Sequence, residues 1–156
     1  MNPDAREPAR RLAEHLGLVL EAIGVPRMAG RVLGWMLLAE EEEVSLEELT
    51  RALDVSKASI SHATRLLEQL GVLERVARPG TRQAYFRLSD DPWGAMLVME
   101  RRLSEGFVQF AERAGRELPE HPLRRARLAE MREAFELYLE MLAGFIERWK
   151  RRKEQA

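Results

Sequence analysis

The sequence contains no cysteine, which excludes a disulfide framework and any thiolate-bound metal. Its three histidines, His15, His62 and His121, lie in different elements with no paired carboxylates at ligand spacing. No metal or cofactor is therefore expected. The longest apolar run, VLGWMLLA, falls far short of the roughly 20 residues of a membrane span. The opening MNPDAREPARRLAEHLG mixes charges and has no apolar centre, so no signal peptide is expected and the cytoplasm is the expected location. Nucleophile elbow, phosphate loop and an oriented Ser/His/Asp set are all missing, so the chain is not expected to be an enzyme. A formal net charge of −1 argues against a globally basic polyanion binder.

What is present is globular. Of the 156 residues 46% are hydrophobic and 33% charged, a charged share that suits a helix-rich protein with much exposed surface. The length fits one domain, or one domain with an oligomerisation element. The charge is segregated. Glu40 to Asp54 holds seven acids against Arg51 alone, a local −6. Ser56 to Leu88 holds six basic residues (Lys57, Arg65, Arg75, Arg78, Arg82, Arg87) against Glu68 and Glu74, a local +4. A local footprint of this kind governs binding to polyanions.

Helical spacing predicts a first helix from about Asp4 to Ala22, with Leu12, Leu16, Val19, Leu20 and Ile23 as its apolar stripe. A second helix opens on Pro26. It is apolar on most faces, and Gly30 and Gly34, four apart, invite close approach by another backbone. Ser45 with Glu48 forms a capping box for a short helix ending near Leu53. Asp54 and Val55 then turn the chain, and Ser56 caps a further helix that stops at Gly71. The extended runs VLERVA and QAYFRL flank RPGTR, a type II turn that makes a hairpin with a basic tip. A long helix from Pro92 to Glu117 carries Met96, Met99, Leu103, Phe107, Phe110 and Ala114 along one side. In the last helix, from Pro122 towards Lys153, Leu128, Met131, Phe135, Tyr138, Leu142, Phe145 and Trp149 repeat at steps of 3 and 4. Ala134, Leu137, Met141 and Gly144 form a second stripe. Two apolar faces exceed what one small domain covers, so a subunit interface is expected.

Helix, tight turn, helix and hairpin is the order of a winged helix-turn-helix. In the second helix Ile60, Ala63, Thr64 and Leu67 make a core face. Ser59, Ser61, His62, Arg65 and Gln69 fall largely opposite, with Lys57 and Ala58 at the tip. Short side chains at the leading end allow the helix into a major groove, where Arg65 can take guanine and Ser59, Ser61 and His62 can reach bases or phosphates. The amides capped by Ser56 offer a phosphate seat. At the hairpin tip Arg78, Thr81 and Arg82 suit the negative potential of a minor groove.

VSKASISHATRLLEQLGVLERV resembles the recognition-helix segment of the MarR family of bacterial regulators. GVPRMAGRVLGWMLL before it and ARPGTRQAYFRL after it resemble the GbsR branch, so the likeness spans roughly Gly24 to Asp91. The resemblance implies a mainly α fold with a small β-hairpin: a winged helix-turn-helix over 26–90, flanked by dimerisation helices at 1–25 and 91–156. It implies a homodimeric, DNA-binding transcription regulator, a repressor acting on an inverted-repeat operator. Many relatives carry DxRxxR in the wing, whereas RPGTRQ here is shorter and lacks the aspartate. His62 stands where many relatives have arginine, so base preference does not transfer.

Relatives in the GbsR branch are associated with choline-type quaternary ammonium ligands, which favour aromatic cages. By that resemblance Trp35, Tyr85 and Trp93 are candidates for a small-molecule effector site, with Phe86, Met96 and Phe107 nearby candidates. Plain core packing is the competing reading of these side chains. Arg27 and Arg31 can grip an anion or form an outward salt-bridged pair. The alternative function is a winged-helix protein–protein interaction module without DNA binding, supported by the near-zero net charge and the acidic segment.

Overall fold

The computed structural model describes residues 3–155. The chain forms two compact units, one running through Pro92 and the second beginning at Trp93. Among the described residues no helix is long and apolar enough to cross a membrane.

The first unit opens with α1 (Pro3–Glu21) and α2 (Arg27–Leu38), packed through small residues. A β-carbon placed on Gly30 would lie 2.7 Å from the Gly17 Cα, and one on Gly34 would lie 2.7 Å from the Ala13 Cα. The expected close approach at Gly30 and Gly34 is therefore present, and it selects the inner face of α1. Ala9, Ala13 and Gly17 are buried there, with Leu16 and Leu20 packed against the core. Of the expected apolar stripe, Leu12, Val19 and Ile23 instead point outward, Ile23 with 73% exposure. Helical period alone admits them, but only side chains as small as alanine and glycine let two backbones come this close. Glu14 of α1 holds both arginines of α2: Arg27 Nε lies 2.6 Å from its Oε1 and Arg31 Nε 2.8 Å from its Oε2. These arginines form the salt-bridged pair.

Ser45 accepts the Glu48 amide at 3.1 Å and caps α3 (Leu46–Leu53). Asp54 ends that helix in the left-handed region, with φ of 52°. Two residues later Ser56 caps α4 (Lys57–Gln69) by accepting the Ser59 amide at 3.2 Å. Ile60, Ala63, Thr64 and Leu67 are buried along α4, the face anticipated for it. Burying side chains the size of Ile60 and Leu67 contributes about 1.5–3 kcal/mol each. Gly71, with φ of 71°, releases the chain into strand.

The hairpin is part of a larger sheet. Strands β1 (Val44–Ser45), β2 (Leu73–Val76) and β3 (Tyr85–Leu88) form an antiparallel sheet in the order β1-β3-β2. Val44 pairs with Phe86 and Ser45 with Tyr85. Leu73 pairs with Leu88 and Val76 with Tyr85. The expectation of a two-stranded hairpin omits β1, which is too short to show a period. Phe86, Val44 and Val72 are buried with α2, α3 and α4 residues in one core. Gly80 has φ of 81° at the turn, as a type II turn requires.

Apart from its first residue, α5 (Pro92–Glu117) belongs to the second unit, together with α6 (Pro122–Glu154). Ser104 and Ala111 on α5 and Leu142 on α6 are buried. Phe107 stacks on Phe135 with ring centroids 4.4 Å apart. The Tyr138 hydroxyl donates to Glu100, and this bond, with burial second, raises the Tyr138 pKa above its ordinary value. The second stripe of α6 is uncovered: Leu137 and Met141 are each 62% exposed. On α5, Met96, Met99, Leu103 and Phe110 are exposed as well.

Candidate nucleic-acid interface

The buried side of α4 fixes which residues can face a partner. Lys57, Ala58, His62, Arg65 and Gln69 are exposed, and apart from the first step they recur at helical spacing along one face. Ser59 and Ser61 are half-buried beside it. The Ser56 and Ser59 hydroxyls lie 2.9 Å apart and bond to each other. Their first use is therefore the cap, which holds the leading end of α4. Arg65 Nε donates to the Ser61 carbonyl at 3.0 Å, which lays the side chain along the helix. The edge formed by its two terminal nitrogens, the one a guanine would meet, is separate from that bond.

At the wing, Thr81 and Arg82 are exposed, and the Thr81 hydroxyl accepts the Gln83 amide at 3.0 Å. Lys57, Arg75 and Arg82 converge on one groove of about 420 Å³, whose other walls are Leu46, Glu47, Gln83 and Ala84. This groove joins the tip of α4 to the wing. Arg75, on β2, is not singled out by any sequence motif; its only signal is its share in the local basic count.

Arg78 is placed differently from Arg82. Its Nε and a terminal nitrogen each lie 2.6 Å from Glu43 Oε2, and its guanidinium lies 4.1 Å from the Tyr85 ring centroid. The bond to Glu43, against a smaller effect of burial, raises the Arg78 pKa further above its usual value. Next to it, Gln83 Nε2 donates to Glu47 at 3.1 Å. Arg87 meets Glu74 at 2.7 Å, Asp90 at 3.4 Å and Glu42 at 3.9 Å. Side chains of the acidic segment thus partly neutralise basic ones of the segment that follows it, through pairs such as Glu43 and Arg78 that are 35 positions apart.

The aromatic candidates fall in three settings. Trp35 is 2% exposed in the core, Tyr85 lies under Arg78, and Trp93 is exposed at the start of α5. Phe86 is a core residue, Met96 is exposed and Phe107 is stacked on Phe135. A cleft of about 290 Å³ reaches Trp35, but its other walls are Arg6, Glu7, Arg10, Glu48, Arg51 and Ala52. It holds no second aromatic ring, so it is not an aromatic cage. Among the described residues no group of three His, Asp or Glu side chains could hold a metal ion.

The sequence pattern of the MarR family matches residues 23–84, which contain the helix-turn-helix and the tip of the wing. The HTH-type transcriptional regulator MmpR5 of Mycobacterium tuberculosis is 37% identical over 132 residues, covering 84% of this chain and 78% of that protein. The chain belongs to the MarR family. A crystal structure described as that of a transcriptional regulator superposes with a TM-score of 0.79 at 33% identity, over 92% of this chain and 99% of the other. The winged-helix arrangement of α3, α4 and the sheet is that of a family of transcriptional regulators. A placement in its GbsR-like branch rests on the motif likeness alone.

Proposed function

We propose that this protein is a homodimeric, sequence-specific DNA-binding regulator, a repressor that acts by occupying an inverted-repeat operator. The observation that carries the reading is the exposed face of α4. Lys57, Ala58, His62 and Arg65 stand out on a helix whose opposite side is locked into the core. Short side chains lead that face, and the longer polar ones that follow suit a major groove. Lys57, Arg75 and Arg82 line the adjoining groove, where a backbone phosphate fits, and Thr81 extends the wing surface. In this reading Arg65 and His62 meet bases, Ser61 meets a base or phosphate at closest approach, and Ser56 and Ser59 present the amides of the helix start.

Dimerisation is supported by apolar side chains left uncovered on three helices: Leu12, Val19 and Ile23 on α1, Leu103 and Phe110 on α5, and Leu137 and Met141 on α6. Exposed apolar surface of this kind marks an interaction site. Two α4 helices about 34 Å apart would enter successive major grooves. GVPRMAGRVLGWMLL and ARPGTRQAYFRL support a GbsR-like assignment and small-molecule control, and DNA as the target fits a cytoplasmic regulator. Any such effector must bind one inter-helix spacing better than another, because only differential affinity shifts that equilibrium.

A second reading, a winged-helix module that binds protein instead of DNA, is favoured by the neutralisation of Arg78 and Arg87 by acidic side chains. Salt dependence separates the two. A duplex selected from a random pool, titrated by fluorescence anisotropy, loses affinity steeply with salt if phosphates are bound. An apolar protein site does not behave this way.

A further inference from the structure

The acidic run before the helix-turn-helix has no part in the DNA-binding reading, yet its last member, Glu43, reaches Arg78 of the wing. Glu43 immediately precedes β1, and β1 pairs with the wing strand β3 through Val44–Phe86 and Ser45–Tyr85. A hydrogen-bonded ladder, rather than a loose loop, therefore sets where Glu43 stands. Its Oε2 receives two Arg78 nitrogens at 2.6 Å each, and the guanidinium lies over the Tyr85 ring, 4.1 Å from its centroid. Glu43 is the less exposed partner, at 25% against 48% for Arg78. Across β1, Glu47 holds Gln83 at 3.1 Å, so both acids flanking β1 engage the wing.

We propose that Glu43 is an internal competitor for Arg78: a carboxylate standing where a DNA phosphate would bind, which holds down the sequence-independent part of binding. The inference rests on the DNA-binding reading of α4 and the wing. Phosphate contacts supply affinity without sequence information, and each cation that meets a phosphate releases about one counterion. An arginine that must leave a carboxylate to reach a phosphate exchanges one charged partner for another and gains little. The exposed pair is too weak to block docking, but it cancels what Arg78 would add. Base contacts from α4 keep their full value, so a larger share of the total affinity depends on sequence. Glu43 is in this sense a specificity-determining residue.

The test is an anisotropy titration of the full chain against a selected operator and a scrambled duplex over a salt series. It compares wild type, Glu43→Gln, Glu43→Asp, Arg78→Ala and the Glu43→Gln/Arg78→Ala double variant. Glu43→Gln is expected to tighten binding to both duplexes by about fivefold and to steepen the salt slope by about 0.9. Glu43→Asp keeps the charge but withdraws it from Arg78, so it moves affinity the same way by less, and it keeps the test open if the glutamine variant is unstable. On the Arg78→Ala background only the general loss of one negative charge remains, so Glu43→Gln is expected to tighten binding and steepen the slope by less than on the wild-type background. Equal gains on the wild-type and Arg78→Ala backgrounds, or no gain at all, overturn the inference while wild-type binding keeps the DNA reading intact. Failure of all five proteins to bind either duplex defeats the DNA reading itself, and the inference with it.

Discussion

Gly34 on α2 and Ala13 on α1 meet with no room between them for a methyl group: a β-carbon at Gly34 would lie 2.7 Å from the Ala13 Cα and 3.2 Å from its Cβ. The obstacle is backbone, which cannot swing aside as a side-chain end can. Gly34→Ala is therefore expected to destabilise the first unit by about 1–3 kcal/mol, despite the better helix propensity of alanine. Gly115→Ala on α5, where nothing lies within 4 Å, is expected to be neutral or stabilising by about 1 kcal/mol. Urea denaturation of the two variants, read from their midpoints, checks the contrast.

The Ser56 cap separates folding from binding. Ser56→Ala removes the acceptor for the Ser59 amide and is expected to cost about 1 kcal/mol of stability. Ser56→Asp keeps an acceptor and suits the helix dipole, so stability is expected to hold. It also puts a negative charge where phosphate would sit, so duplex affinity is expected to fall. Denaturation and anisotropy on the same two samples give both answers.

The uncovered stripe of α6 predicts oligomeric state. Leu137→Glu with Met141→Glu places two charges on side chains that are each 62% exposed in the single chain, so the fold of one subunit is expected to survive. Sedimentation velocity is expected to show a dimer for the wild type and a monomer for the double variant, with operator affinity strongly reduced.

Tyr138 and Glu100 predict an alkaline limb. The folded phenol, bonded to Glu100, has its pKa raised. Its contribution is fully present below the ordinary tyrosine value of about 10 and is lost as pH rises through the higher folded value. Tyr138→Phe is expected to flatten this limb. Urea midpoints between about pH 8 and pH 11, bracketing the ordinary tyrosine value, measure it against wild type.

How much can be read from the residues follows the range of the interaction. The caps at Ser45 and Ser56, the stop at Gly71 and the core face of α4 obey rules that act within one helical turn, and all are legible. So is the close approach at Gly30 and Gly34, because the spacing of two glycines limits what can pack there. The inner face of α1 is not, since Ala9, Ala13 and Gly17 carry little apolar signal while Leu12 and Ile23 carry much. Strand β1 is two residues long and exists only because β3 lies beside it. Arg78 and Glu43 are 35 positions apart, and their meeting depends on that pairing. The basic wing tip is visible in the residues, but the partner of one of its arginines comes only from tertiary structure.

The most direct measurement is the affinity of wild type, Arg65→Ala and Arg82→Ala for a duplex selected from a random pool and for a scrambled control, across a salt series. Arg65→Ala is expected to cost about 1–3 kcal/mol on the selected duplex and little on the control. Arg82→Ala is expected to weaken binding to both and to make the salt slope shallower by about one. Wild-type protein with no salt-dependent affinity for any duplex, or an Arg65→Ala variant with unchanged sequence preference, would contradict the assignment of α4 as the reading helix.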